Sequence, residues 1–128
     1  MFELSTRAQD FVERTKTFIK NEIEPIETQF WNDVHALNQG GDWTTWQWPA
    51  QIEVLKGKAK AAGLWNMFLP DPVLGQGLSV QEYAHIAELT GRSLIAPTLF
   101  NCNAPDSGNM EVLWRYGSDA QKQQWLSP

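Results

Sequence analysis

The chain has 128 residues, enough for one domain that buries roughly two thirds of its unfolded surface. Hydrophobic residues make up 42% of the sequence and charged residues 20%, which is a globular composition. The formal net charge of −5 disfavours nucleic acid as a partner, because phosphate binding needs a clustered basic surface. The small group of Lys56, Lys58 and Lys60 beside Glu53 is more typical of a solvated helix face.

A single cysteine, Cys102, excludes an internal disulfide and fits a reducing compartment. Because no cationic residue lies near it in sequence, we expect a packed small side chain rather than a nucleophile. No apolar run approaches the ~20 residues that span a bilayer, and the acidic start is unlike a secretory signal. We therefore expect no membrane insertion and a cytoplasmic protein, or a mitochondrial or peroxisomal one if targeting signals lie outside this chain.

Helical periodicity dominates the first part of the chain. An apolar stripe with three- and four-residue steps predicts a long opening helix, capped by Ser5 or Thr6 and ended or kinked by Pro25. A second helical segment over 30–37 continues the stripe, and residues 38–48 form a glycine-containing loop. The stripe of the opening helix consists of Leu4, Ala8, Phe11, Val12, Thr15, Phe18, Ile19, Ile23 and Ile26.

The next helix is predicted to have Pro49 in its first turn and to stop at a left-handed Gly63. The apolar run over 64–69 is short and aromatic, so we expect it to cross the core as extended chain. Gly75 and Gly77 are expected to keep the loop that follows flexible. The buried face of the helix is predicted to be Ile52, Leu55, Ala59 and Ala62.

Two capping boxes mark helix starts in the second half of the chain. Ser79 with Glu82 opens a helix that Gly91 closes, and Ser118 with Gln121 opens the last helix. The inner stripe of the first of these helices is predicted to be Val80, Tyr83, Ala84 and Ala87. The last helix is predicted to carry Trp125 and Leu126.

Two more helices are predicted between these boxes. A short one begins near Pro97 and runs through Phe100, and a longer one is capped by Asp106 and stops at Gly117. The longer one carries Met110, Leu113 and Trp114. No period-two pattern indicates a strand, so the predicted fold class is all-α, an up-and-down helical bundle.

The residues alone predict no catalytic, cofactor-binding or metal site. His35 and His85 lie far apart in sequence and lack a metal-ligand spacing. The VLGQGLS segment over 73–79 resembles half of a phosphate-binding turn, but it lacks the third glycine, the lysine and the preceding strand. Trp43, Trp46 and Trp48 form a cluster that either packs on the bundle or a neighbouring domain or subunit, or offers a platform to a small ligand. Packing is the favoured interpretation.

Four segments, taken in order, carry a family resemblance. They are the opening helix that ends near Pro25, KAKAAGLWNMFLP over 58–70, GQGLSVQEYAHIAELTGRS over 75–93, and APDSGNMEVLWRYGSDAQKQQWLSP over 104–128. The last contains Tyr116, Gly117, Ser118, Gln121, Lys122, Trp125 and Leu126 at a characteristic spacing. Together they resemble the N-terminal helical domain of the acyl-CoA dehydrogenases. GLWNMFLP and NAPDSGNMEVL are similar to a subgroup whose eukaryotic members can be fused to a kinase-like domain.

The resemblance implies a FAD-dependent oxidation of acyl-CoA thioesters by a larger enzyme. That enzyme would comprise an N-terminal helical domain, a middle β-domain and a C-terminal helical bundle, of which residues 1–128 would be the first alone. The catalytic base and the main flavin contacts would lie outside it, so we expect this chain alone to be inactive and not to bind FAD tightly. The implied partners are an acyl-CoA substrate and further copies of the enzyme in a homo-oligomer.

By the same resemblance, the helices flanking NCNAPDSGN would form one wall of the acyl pocket. The candidate wall residues are Phe100, Asn101, Asn103, Ala104 and Gly108, with Gly108 allowing close approach of the chain. The alternative for these positions is structural: Phe100 fills the core, and Asn101, Asn103 and Asp106 cap helices.

Two other functions stay open at this point. The chain could be a free-standing helical protein-interaction module derived from such a domain, or a small-ligand receptor that uses the loop from Trp43 to Trp48. For the dehydrogenase domain and for the interaction module alike, the face that would pack on the other domains is left uncovered, which predicts self-association at moderate concentration.

Overall fold

A computed structural model of the chain describes residues 3–126, and these residues form helices, turns and loops without a strand. The predicted all-α fold class is therefore confirmed. The helices are α1 (Thr6–Phe18), α2 (Glu27–Leu37), α3 (Gln51–Ala61), α4 (Val80–Thr90), α5 (Ala96–Leu99), α6 (Asp106–Tyr116) and α7 (Asp119–Gln121). Two π-helical turns, Ile19–Ile23 and Lys122–Leu126, extend α1 and α7, and a 3₁₀ turn covers Trp43–Thr45.

The opening helix follows its sequence signals closely. The Ser5 hydroxyl accepts a hydrogen bond from the Ala8 amide at 3.2 Å and caps the start of α1. The π-helical turn ends the helix just before Pro25, as predicted. Within the part of the chain that is described, no helix is long and apolar enough to cross a membrane.

The core lies between α1, α3, α4 and the short helix α5. The ring of Phe18 meets that of Phe100 edge-on, with 5.3 Å between centroids. The Thr15 hydroxyl, fully buried, donates to the Met67 sulfur at 3.6 Å, so its burial leaves no unpaired donor. The core also contains Ala8, Phe11, Ile19, Ile23, Phe30, Ile52, Leu55, Ala59, Leu64, Leu78, Ile86, Ile95, Ala96 and Leu99.

The run over 64–69 crosses the core, but the prediction of extended chain is wrong. Asn66 has a left-handed backbone with φ of 56°, and the Leu69 amide donates to the Asn66 carbonyl at 3.1 Å to close a turn. The turn satisfies backbone groups that an extended strand without a partner would leave unpaired in the core. Leu64, Met67 and Leu69 are buried as a result.

The buried face of α4 also differs from its prediction. Of the four predicted residues, Tyr83 packs against the core and Ala87 is partly buried, but Val80 is 70% exposed and Ala84 is exposed. Ile86 and Thr90 are buried instead. The helix therefore turns the larger apolar side chain of Ile86 to the core, since an alanine buries little area in its place. The expected burial of Ala62, the last residue of the α3 stripe, is wrong in the same way because Ala62 is exposed.

Helix ends show two further differences. Pro49 is buried just before α3 rather than in its first turn, and its carbonyl accepts from the Ile52 amide at 3.0 Å. Asp106 is the first residue of α6 and not its cap, a position taken by Pro105. Both predicted capping boxes, at Ser79 and Ser118, are confirmed, and Gly63 is left-handed with φ of 67°.

Candidate functional site

The predicted wall residues lie at the corner where α5 passes into α6. Phe100 is fully buried against Phe18 and supports this corner from beneath. Asn103 is half-buried, and its carbonyl accepts from the Ser107 amide at 3.0 Å in the first turn of α6. Ala104 is exposed and precedes a cis peptide bond to Pro105.

Asn101 pairs with Asn66 beneath this corner. Both residues have positive φ, 54° for Asn101 and 56° for Asn66, a conformation that asparagine tolerates better than most side chains. The Asn101 amide nitrogen donates to the Asn66 side-chain oxygen at 2.8 Å, and the Asn66 backbone amide donates to the Phe100 carbonyl at 3.0 Å. The 64–69 turn is thereby fastened to the α5–α6 corner.

Gly108 begins an exposed apolar stripe on α6. A Cβ placed on Gly108 would meet no atom within 4 Å, so the surface above it is open. Val112 and Tyr116 follow at four-residue steps and are 58% and 79% exposed. We call these three residues, together with the exposed Ala104 at the corner just before α6, the α6 stripe. The sequence prediction missed Val112 and Tyr116, although their spacing from Gly108 could have indicated them.

The opposite face of α6 is tied to the rest of the fold by polar contacts. The Asn101 side chain donates to the Met110 sulfur at 3.4 Å, and Trp114 Nε1 donates to Asp71 Oδ2 at 3.1 Å. No residue of α6, all of which the structure describes, is buried. These contacts therefore set the orientation of the α6 stripe.

Asp71 organises the loop that holds Trp114. Its Oδ1 accepts from the backbone amides of Leu74 at 2.7 Å and Val73 at 2.9 Å. These hydrogen bonds hold the pKa of the Asp71 carboxyl below its ordinary value of 3.8, and the bond from the Leu74 amide is the largest cause. The sequence alone indicates no role for Asp71, because its partner Trp114 is 43 residues away.

The glycine segment over 73–79 does not fit a cofactor diphosphate. The Gly75 and Gly77 amides both donate to the Asp71 carbonyl, at 3.0 and 3.1 Å, so they are not free to cradle phosphate. A Cβ on Gly75 would collide with the Leu69 carbonyl oxygen, and Gly77 is left-handed with φ of 60°. These glycines serve a closely packed turn, where the sequence predicted a flexible loop.

A depression of about 470 Å³ opens next to the Asn66–Asn101 pair. Leu74, Met110 and Trp125 contribute apolar walls to it. Lys60, Asn66 and Asn101 contribute polar groups to the same lining, so the depression is mixed in character and does not single out an apolar ligand.

Cys102 does not supply a nucleophile to this corner. Burial raises the pKa of its thiol, and the sulfur donates to the Phe100 carbonyl at 3.2 Å. The neighbouring Tyr83 hydroxyl likewise has a raised pKa because it is buried. This agrees with the expectation of a packed thiol. His35 and His85 are both exposed, and residues 3–126 contain no group of three or more potential metal ligands.

The described residues fold into an all-α domain whose α5–α6 corner is built by Phe100, Asn101 and Asn103. Comparison with known families gives the class: residues 5–128 match the family model described as "Acyl-CoA dehydrogenase, N-terminal domain". The chain belongs to the acyl-CoA dehydrogenase family. The kinase-fused subgroup stays a prediction.

Individual relatives support this assignment. The chain is 49% identical over 128 residues to acyl-CoA dehydrogenase family member 11 of Rattus norvegicus, covering all of this chain and 16% of that protein. It is 43% identical to family member 10 of Mus musculus, covering 98% of this chain and 12% of that protein. A solved structure from Mycobacterium abscessus, assigned to the acyl-CoA dehydrogenases, superposes with a TM-score of 0.89 at 52% identity. That match covers 99% of this chain and 32% of the other.

Proposed function

We propose that this chain is the N-terminal part of a FAD-dependent acyl-CoA dehydrogenase and forms one wall of its acyl pocket. The observation that supports the proposal is the α6 stripe, whose Val112 and Tyr116 are exposed in line with Gly108. Exposed contiguous apolar surface typically marks a binding face. A hydrocarbon chain gains about 0.8 kcal/mol for each CH₂ that it buries against such a face.

The small residues of the stripe make room for the acyl chain in this proposal. Gly108 has open space above it, and Ala104 adds only a methyl group at the corner. Phe100 and Asn101 then act as supports, because one fills the core and the other is bonded to Asn66. Asn103 lies between supports and stripe, with its side-chain amide 3.4 Å from the Ala104 carbonyl.

We further propose that the chain is inactive alone and does not hold FAD tightly. FAD, bound elsewhere in the complete enzyme, would accept the hydride removed from the acyl group. In the glycine segment over 73–79, the Gly75 and Gly77 amides already donate to the Asp71 carbonyl, so they are not available to a phosphate group. Purified chain mixed with FAD and an acyl-CoA should lose all flavin absorbance on a desalting column. Stoichiometric retained flavin that bleaches with acyl-CoA would contradict this part of the proposal.

The wall can be tested in the complete enzyme with a photoreactive acyl-CoA. A diazirine near the end of the acyl chain should label the peptide that covers residues 103–116, as read by mass spectrometry. An excess of unlabelled acyl-CoA should suppress that label. Labelling confined to other parts of the enzyme would show that this segment does not line the pocket.

The complete enzyme is proposed to take an acyl-CoA substrate and to assemble as a homo-oligomer in the cytoplasm. The competing proposal, a free-standing helical interaction module, is favoured by the exposed indoles of Trp43 and Trp46, which are 74% and 61% accessible. The coding frame after residue 128 separates the two. A frame that continues into a β-rich segment supports the enzyme, and a stop codon at that point supports the module.

A further inference from the structure

The tryptophan-rich loop forms a pocket against α2 that the acyl-pocket proposal leaves without a role. The pocket has a volume of about 320 Å³ and is lined by Trp31, Val34, Asn38, Trp46, Gln47 and Trp48. We call it the tryptophan pocket. Three of its six lining side chains are indoles, and none carries a formal charge.

Asn38 holds the loop in place. Its side-chain nitrogen donates to the Val34 carbonyl at 2.7 Å and to the Gln47 carbonyl at 2.9 Å. Its side-chain oxygen accepts from the Gln47 backbone amide at 2.6 Å. The backbone amide and carbonyl of Gln47 are therefore both bonded to the Asn38 side chain. This fixes the backbone between Trp46 and Trp48 and positions the two indoles without a ligand.

The aromatic rings are also fixed by one another. Trp48 stacks on Phe30 with 5.9 Å between ring centroids and meets Trp31 at 6.2 Å with an interplanar angle of 64°. Trp46 donates from Nε1 to the Gly40 carbonyl at 3.3 Å. Even so, Trp46 and Trp48 remain 61% and 53% exposed, so ordered indole surface faces the pocket and solvent.

The lining of the tryptophan pocket can admit a cation, because no lining side chain is positively charged. Within four residues of the lining positions in sequence, the ionisable side chains are His35 and three acids, Glu27, Asp33 and Asp42. Arg92 lies beside Trp31 in a different depression, together with Glu24 and Glu27. The chain's own cations cover other rings: Arg14 lies 4.3 Å from the Phe11 ring, and Lys60 lies 4.3 Å from the Trp65 ring. An anion entering the pocket would meet no cationic lining side chain.

We propose that the tryptophan pocket binds an organic cation, a tri- or tetramethylammonium group. The negative faces of the indoles attract such a cation, and its methyl groups bury apolar area against the same rings. A neutral group of the same shape gains only the second of these contributions. The site is separate from the α6 stripe, since the two share no lining residue.

The test is a titration of the ¹⁵N-labelled chain with tetramethylammonium chloride, followed through the indole N–H signals. Neopentyl alcohol, a neutral molecule of similar shape, is titrated in parallel, with sodium chloride as the salt control. The signals of Trp31, Trp46 and Trp48 should shift saturably with the cation and at clearly lower concentrations than with the alcohol. Trp46→Leu should weaken binding at least about fivefold, equivalent to roughly 1 kcal/mol of cation–π attraction. Trp43→Leu is the matched control, because Trp43 belongs to the same loop but does not line the pocket.

Several outcomes would overturn the proposal. Equal shifts with the alcohol would show a merely apolar pocket, and shifts with neither molecule would show no site. Equal loss of binding in Trp43→Leu and Trp46→Leu would trace the effect to the loop's fold, which circular dichroism of both variants would check. Concentration-dependent indole shifts without ligand would identify a second copy of the chain as the occupant.

Discussion

The side chain of Asn101 donates a 2.8 Å hydrogen bond to the side chain of Asn66, and both asparagines have left-handed backbones. They are 35 residues apart in sequence, yet each stabilises the other's turn. The pair joins the core-crossing turn to the corner from which α6 departs. It therefore connects the packing of the core to the position of the α6 stripe.

Asn101→Ala should lower the free energy of unfolding by about 2 kcal/mol. About 1 kcal/mol comes from the lost hydrogen bond, and about 1 kcal/mol from alanine in a left-handed backbone. Asn101→Gly should cost only the first part, because glycine accepts positive φ. Urea unfolding followed by circular dichroism measures both, with exposed Asn109→Ala as the control. Equal losses in the alanine and glycine variants would contradict the role assigned to the backbone.

Gly75 and Gly108 should respond oppositely to alanine. Gly75→Ala places a Cβ against the Leu69 carbonyl oxygen and should cost about 2 kcal/mol or more. Gly108→Ala meets open space within α6 and should raise stability by up to about 1 kcal/mol through helix propensity. Thermal unfolding of the two variants compares them directly. A stable Gly75→Ala variant would mean that the 70–77 turn is not packed as described.

Asp71 should make stability depend on pH. Because hydrogen bonds lower its pKa in the folded chain, its carboxylate stabilises the fold fully above the ordinary value of 3.8. That contribution is lost as the pH falls through the folded pKa. Asp71→Asn should thus cost about 1 kcal/mol at pH 7, after allowance for solvent screening, and progressively less below pH 3.8. Exposed Glu88→Gln is the control, and a pH-independent difference for Asp71→Asn would contradict the assignment.

The α6 stripe should promote self-association of the isolated chain. Val112→Gln together with Tyr116→Gln removes its largest apolar groups and should shift sedimentation toward the monomer. Val54→Gln is the matched control, since Val54 is 59% exposed on α3. A clean monomer for the unchanged chain over a wide concentration range would contradict the prediction.

Local signals in the sequence predict most helix ends, with Pro49 and Asp106 as exceptions. Both capping boxes follow from residues three positions apart, so Ser79 and Ser118 could be identified without knowledge of tertiary structure. Helix faces are harder to predict. The spacing in α4 favours a stripe that includes Val80 and Ala84, whereas in the fold Ile86 reaches the core. Choosing between such faces depends on what the helix packs against.

The candidate site was predictable only in part. The motif at 100–108 indicated the corner, but the contacts that build it join residues far apart in sequence. Asn101 is hydrogen-bonded to Asn66, and Trp114 is hydrogen-bonded to Asp71. No local sequence pattern predicts either pair. Val112 and Tyr116 are exposed because α6 turns its other face inward through these contacts, so the stripe became visible only in the folded chain.

The central proposal is that the α6 stripe lines the acyl pocket. It is tested most directly by placing a large side chain at Gly108 in the complete enzyme. Gly108→Leu should fill the open space above α6 and lower kcat/KM for long-chain acyl-CoAs at least about tenfold more than for short ones, about 1.4 kcal/mol of selective loss. Gly57→Leu is the matched control, a helical glycine on α3 that also has no atom within 4 Å of a Cβ. The chain-length profile of Gly57→Leu should equal that of the unchanged enzyme. An unchanged profile for a folded, flavin-loaded Gly108→Leu enzyme would contradict the proposal.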